Sequence, residues 1–275
     1  MNIVWAALIV AAVTAVAVTA MLLVRRGAPE GSYFADGDRA SGVFGVLATG
    51  FSVLLGFIVF LAFESYDQSR VGADQEALVV FQQVETAQLF PRPAGRELTG
   101  ELVCYARYVV NVEWPRAEAG ELGDQINPWG PALFGTLRTV DPRTPPQQSA
   151  YDKWLDQTSD REAARIDRIH GAVGVIPTPL WIVLFFISCV IFVYMLFFAD
   201  SAEGLYTQAL LMGAVTSVIV GMLLLIRFLD SPFHAGVGGV RPVAMERTLG
   251  LINEGLRATG IDFTPPCDER GSATS

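Results

Sequence analysis

GVFGVLATGFSVLLGFIVFLAF, residues 42–63, carries no charged residue and is long enough to cross a bilayer as one helix. Glu64, Tyr66 and Asp67 follow at once, and no proline occurs before Pro91. The expected element is therefore one continuous helix to about Phe90, half in lipid and half projecting into water as an amphipathic rod. Three further apolar stretches accompany it. Residues 3–24 are apolar throughout and end at Arg25-Arg26; with no Lys or Arg ahead of them, they read as a retained span and not a cleaved signal. Pro177 and Pro179 open residues 180–198, with Trp181 where an interfacial aromatic belongs. A short polar connection then leads into residues 205–229.

The composition agrees. Over 275 residues the mean hydropathy is +0.41, with 52% hydrophobic and only 17% charged residues, as expected of a polytopic membrane protein with a modest aqueous part. Of the net charge of −9, residues 64–178 carry −6, with seventeen Asp and Glu against eleven Arg and Lys. An acidic segment without a basic stripe excludes nucleic acid as a partner. The three cysteines sit in unrelated contexts, so no disulfide framework or zinc site is expected, which favours a reducing compartment.

The hydrophilic region reads as helical almost throughout. Leu78, Phe81, Val84 and Gln88 form the expected inner stripe of the rod's upper half. Leu98, Leu102, Tyr105, Val109 and Val112 step by 4-3-4-3, a seam suited to antiparallel packing, and Pro115 is expected to end that helix. Residues 120–131 read as loop. Tyr151, Leu155, Thr158, Ile166 and Ile169 suggest one more long helix. After Asp230 a Gly-rich linker leads to a short amphipathic helix (Val243, Leu249, Leu251, Ile252, Leu256) and a polar tail. No period-two strand appears.

For chemistry, the sequence offers no phosphate-cradling Gly loop, no nucleophile elbow and no metal-spaced His/Cys set, so neither an enzyme nor a metal or cofactor site is expected. His170 and His234 lie far apart, and Asp152, Asp156 and Asp160 read as a solvated face. Inside the membrane, no span holds Asp, Glu, Lys or His away from its ends, which disfavours proton-coupled or ion-coupled transport. Two classes remain: a passive pore, and a non-conducting scaffold or sensor that binds a protein partner through its helical domain.

For a pore, Gly45, Thr49, Ser52 and Gly56 share one small, weakly polar face of the second span, either a helix contact or a pore lining. Ile58, Phe60 and Leu61 follow as a candidate apolar constriction, and Glu64 and Asp67 as an acidic ring that concentrates cations. Arg227 stands near Asp230 at the end of the fourth span, where snorkelling and a local pair explain it. Gly213, Ser217 and Gly221 form a second small face, and at least one of the two faces is expected to pack between subunits.

Three motifs stand together: VVNVEWP (residues 109–115), IPTPLW (176–181) and LDSPF (229–233). In this order, between and after four spans, they make the chain resemble the bestrophin-like family of bacterial membrane proteins over about residues 42–242. The motif residues are Glu113, Trp114, Pro115, Pro177, Trp181, Asp230, Pro232 and Phe233. The resemblance implies kinship with bestrophins, oligomeric channels whose second helix lines a neck and continues into a cytoplasmic helical domain. This chain lacks the acidic run after its Pro-Phe that a calcium clasp needs, and its acidic domain argues against anion selectivity. Glu113 is expected to pair with Arg165 or Arg168.

The expected architecture is all-α. A first membrane hairpin occupies residues 1–63, a helical hydrophilic domain 64–178 is inserted between the second and third spans, a second hairpin occupies 179–229, and the tail 230–275 holds a short amphipathic helix. The expected function is a membrane-embedded, homo-oligomeric passive ion channel lined by the second span. Seven arginines near span ends on the domain side (Arg70, Arg161, Arg165, Arg168, Arg227, Arg241, Arg247) against three on the other (Arg25, Arg26, Arg39) put the domain and both termini in the cytoplasm of a multi-pass cell-membrane protein.

Overall fold

The computed structural model describes residues 3–121, 126–258 and 264–274, so parts of the expected 120–131 loop and of the polar tail, Ser275 included, lie outside the described residues. Within them the protein is helical; the β pairing there is one isolated bridge, Cys267 with Ala273. The helices are α1 (Ile3–Arg25), α2 (Gly37–Ala87), α3 (Ala94–Tyr108), α4 (Trp114–Glu118), α5 (Trp129–Leu137), α6 (Pro145–His170), α7 (Thr178–Phe197), α8 (Leu205–Leu229) and α9 (Val243–Ala258). α1, α2, α7 and α8 are each long and apolar enough to cross a membrane. The chain divides into two compact units. One comprises residues 1–64 and 175–230, the other residues 65–174 and 231–275, and the 51-residue α2 contributes to both.

In the first unit, two small apolar cores hold the four apolar helices. Phe51, Leu55 and Ile58 of α2 pack with Leu184 and Ile191 of α7 and Leu223 and Ile226 of α8. Ala17 and Met21 of α1 pack with Met212 of α8 and Ala199. Around them, large apolar side chains such as Val46, Phe186 and Leu210 face outward. Outward apolar surface on helices of this length is what a hydrocarbon solvent requires. Gly213 lies on the α1 side of α8, where an added Cβ would meet Thr14 and Val18 at 3.5 Å. At Gly213 that small face packs within the chain, whereas Gly221 of the same face borders open space, as do Gly45 and Gly56 of α2. Asp200 ties the α7–α8 turn: its carboxylate accepts from the Ala202 and Gly31 backbone N–H groups, which hold its pKa below the ordinary value.

The second unit has one continuous core, built on Leu98, Leu102, Tyr105 and Val109 of the expected seam. Beyond Tyr108 the chain does not stop at Pro115. It passes through a π-turn, Val109–Glu113, and resumes as α4. Proline has no N–H to donate and its ring clashes with the preceding turn, so the wider π-turn carries the helix past it. Two of the expected inner stripes are also corrected. Leu78 is 48% exposed and Ile166 60%, whereas Glu76, Gln83, Arg161 and Arg168 are buried. The stretch expected as loop to residue 131 gives way at Trp129 to α5, whose Leu133 and Leu137 join the core.

The cysteine reading is corrected as well. Cys104 of α3 and Cys267 form a disulfide across 163 residues, a pairing that local spacing does not reveal. The C-terminal segment is docked on α3 and α5. Trp129 Nε1 donates to the Gly271 carbonyl at 2.6 Å, and Arg107 to that of Asp268 at 3.1 Å. Gly271 sits at φ +81° with its Cα against the Tyr108 backbone, a place and conformation that only glycine fits.

Candidate functional site

Two groups of residues stand out, one in each unit. The first is the uncovered face of α2. Helical spacing places Gly45, Thr49, Ser52, Gly56, Phe60 and Phe63 on one side, and all are exposed. Glu64 flanks it, Leu61 is exposed well round the helix from it, and Asp67 is exposed on the part of α2 that belongs to the other unit. The opposite side of the same helix carries Phe51, Leu55, Ile58 and Ala62, all buried. Ile58, expected on the constriction, is only 2% exposed and packs in the core with α7 and α8, whereas Phe60 and Phe63 are exposed. The Ser52 hydroxyl donates to the Ala48 carbonyl at 2.8 Å, so the stripe is weakly polar but satisfied. Along α2 the sequence changes from small residues, through two phenylalanines, to two carboxylates.

The second group is an ionic cluster in the hydrophilic unit. Gly72 of α2 makes it possible: a Cβ there would lie 2.4 Å from the Arg168 backbone nitrogen, so α2 and α6 approach closely at this point. One turn on, Glu76 meets the Arg168 side chain. Arg168 Nε donates to Glu76 Oε2, and Nη2 donates to Glu76 Oε1 at 3.2 Å and to Glu113 Oε2. Arg165 Nη2 donates to the other Glu113 oxygen at 3.2 Å. Both expected partners of Glu113 are thus engaged. Tyr105 Oη donates to Glu76 at 2.6 Å, and Arg161 lies over the Tyr105 ring while donating to Gln83 at 2.9 Å.

Arg168 and Glu76 have no exposed side-chain surface. Burial works against the Arg168 charge, but the Glu76 carboxylate and then that of Glu113 outweigh it, leaving the pKa above its ordinary value. Burial and the Glu76 charge likewise push the Tyr105 hydroxyl well up, so it remains a donor. This cluster joins α2, α3, the π-turn and α6. It is closed to solvent and holds no nucleophile, so its role is to fix the domain.

The motif residues fall into related places. Trp114 Nε1 donates to the Val240 carbonyl at 3.3 Å, and its ring meets Phe233 edge-on at 5.4 Å, which brings the EWP and SPF elements together. Pro232 packs against Gly171, and Pro115 is exposed. In the first unit, Asp230 accepts from the backbone N–H groups of Val175 and Ile176 at 2.8 and 2.9 Å, just ahead of Pro177, the residue that precedes α7. Trp181 stacks on Phe185 at 5.9 Å. Sequence reasoning missed Glu76 and Gly72. The available signal was Arg161, Arg165 and Arg168 stepping by four and three on one helix face.

Residues 11–245 match the family model of the Bestrophin-like domain. No curated protein sequence matches the chain. Among solved structures, a bacterial bestrophin homologue from Klebsiella pneumoniae is similar at TM-score 0.66 and 13% identity, over 88% of this chain and 98% of that one. Another structure of a homologue from that organism gives TM-score 0.65 at 12% identity, over 95% and 100%. A third, described as a membrane protein, gives 0.66 at 14%, over 94% and 99%. At these identities the likeness is one of fold.

The cluster makes a sharp prediction about stability. Glu76→Ala leaves the Arg168 charge short of its main partner and should destabilise the domain by about 3–5 kcal/mol. Glu76→Met combined with Arg168→Met should recover most of that loss, because an apolar pair of similar volume needs no charge compensation. Denaturant unfolding in detergent, followed by tryptophan fluorescence, measures both. A single variant as stable as the parent would contradict the role assigned to the cluster.

Proposed function

The chain belongs to the Bestrophin-like family, and from that premise we propose that it is a passive, homo-oligomeric ion channel whose lumen is lined by the open face of α2. The observation that carries this reading is the two-sidedness of α2. Phe51, Leu55 and Ile58 are used within the chain, while the small face of Gly45, Thr49, Ser52 and Gly56 is left uncovered, beside the exposed Val46, Val53 and Phe57. A symmetric arrangement of copies around that face would give a narrow path flanked by backbone and hydroxyl groups. Phe60 and Phe63 then form an apolar ring that excludes water when narrow, and Glu64 and Asp67 an acidic ring beside it. Repeated in every subunit, these carboxylates raise the local cation concentration, so the channel prefers cations. The absence of Asp, Glu, Lys and His from the spans away from their ends supports conduction without coupling to protons.

In planar bilayers the purified protein should pass ohmic single-channel currents. The pair Glu64→Gln and Asp67→Asn should move the reversal potential in a salt gradient toward that of the anion. Currents with an unchanged reversal potential would remove these carboxylates from the path. No current across many salts would favour the scaffold reading instead.

The domain and both termini face the cytoplasm in this reading, on the strength of the arginine asymmetry. The Cys104–Cys267 disulfide lies in that same domain and is the observation that favours the opposite side, since such bonds persist in oxidising compartments. Single cysteines at Asp152 and Asp36, in a background lacking the native three, test the orientation. An impermeant thiol reagent on intact cells should modify position 36 and spare position 152; the opposite pattern would reverse the assignment.

A further inference from the structure

In the hydrophilic unit, a cavity of about 710 Å³ lies between α2 and the segment that leads into α9. Its walls are pinned by hydrogen bonds. Tyr66 Oη donates to the Gly238 carbonyl at 2.5 Å, and Thr248 Oγ1 donates to the Ala77 carbonyl at 3.2 Å. The floor is apolar, with Ala73, Ala77, Val240 and Val243 among its residues. Around it stand Arg70, Arg241 and Arg247, opposed by a single carboxylate, Asp74.

All four charged residues are exposed, and among the described residues none of them is in a salt bridge. Arg70 and Asp74 are four residues apart on one helix, but such an exposed pair is too weak to hold the guanidinium. The cavity therefore carries net positive charge inside a domain that is otherwise acidic. Arginine forks match the oxygens of a phosphate group in pairs, and such charge-assisted contacts are about twice as strong as neutral ones. An apolar floor suits the carbon skeleton attached to that group.

We propose that this cavity binds an organic phosphate, with Arg70, Arg241 and Arg247 gripping the phosphate and the alanine and valine floor receiving its carbon part. The site is independent of the pore face and does not require that the protein conduct. The same chemistry is presented by a soluble phosphate ester and by the headgroup of an anionic lipid, and one experiment separates these sources.

Full-length protein is placed in phosphatidylcholine nanodiscs and titrated calorimetrically with glycerol 3-phosphate, with glycerol as the uncharged control. In parallel, nanodiscs containing phosphatidic acid are assayed for retained lipid by native mass spectrometry. Saturable binding of the soluble ester assigns a free ligand; retention of phosphatidic acid alone assigns a lipid headgroup. In whichever arm binds, Arg70→Gln with Arg247→Gln should weaken binding at least tenfold, as should Arg241→Gln, and Asp74→Asn should tighten it. Arg143→Gln, which removes a surface arginine paired with Asp141 elsewhere in the unit, should leave it unchanged. Melting of each variant at the parent temperature checks the fold. Binding in neither arm, or binding that the cavity variants leave unaltered, overturns the proposal.

Discussion

Arg168 carries a full charge at a position with no exposed side-chain surface, and the hydrophilic unit is arranged so that it can. An isolated ion there would cost several kcal/mol in lost solvation. Glu76 arrives from α2 because Gly72, one turn earlier, lets α6 come within backbone contact. Glu113 arrives because a π-turn widens the helix just before Pro115 and sets the carboxylate facing α6. Tyr105 donates to Glu76 Oε1, the oxygen that also accepts from Arg168 Nη2. Four elements are brought into register by two carboxylates and one arginine, each group correct only if the others are in place.

That arrangement explains where the sequence was readable and where it was not. Spans in lipid are legible because the hydrocarbon demands long uncharged helices: three expected spans coincide with α1, α7 and α8 to within a few residues, and the second lies within α2, which runs on to Ala87 much as the rod expected to about Phe90. The seam of α3 was legible for the same reason: Leu98, Leu102, Tyr105 and Val109 are apolar and buried. On α6 the usual equation of polar with outward fails, because Arg161, Arg165 and Arg168 face in while Leu155 and Ile166 face out. On the upper half of α2 the inner residues mix Ala73 and Ala77 with Glu76, Val80, Gln83 and Val84, so of the expected stripe Val84 faces in while Leu78 and Gln88 face out. Ile58 failed for a related reason. Spacing puts it next to the small face in sequence, but its side chain turns into the core shared with α7 and α8. The Cys104–Cys267 bond is a long-range contact that spacing cannot express.

The motif residues divide accordingly. Glu113, Trp114, Pro232 and Phe233 hold the hydrophilic unit together, and Asp230 organises the entry to α7 through two backbone N–H groups. None of them lies on the open face of α2. In this structure these motif residues serve packing and hydrogen bonding, and the proposed conducting surface is made of residues with little individual character: glycine, serine, threonine and phenylalanine.

The central claim is that one face of α2, and not the other, meets the ion path. The most direct measurement is a cysteine scan of residues 45–60 in a Cys189→Ser background, with charged thiol reagents applied to protein conducting in a bilayer. Positions 45, 49, 52, 56 and 60 should respond with altered current, and positions 51, 55 and 58 should be silent. A response that follows the buried set, or that shows no helical period, would contradict it.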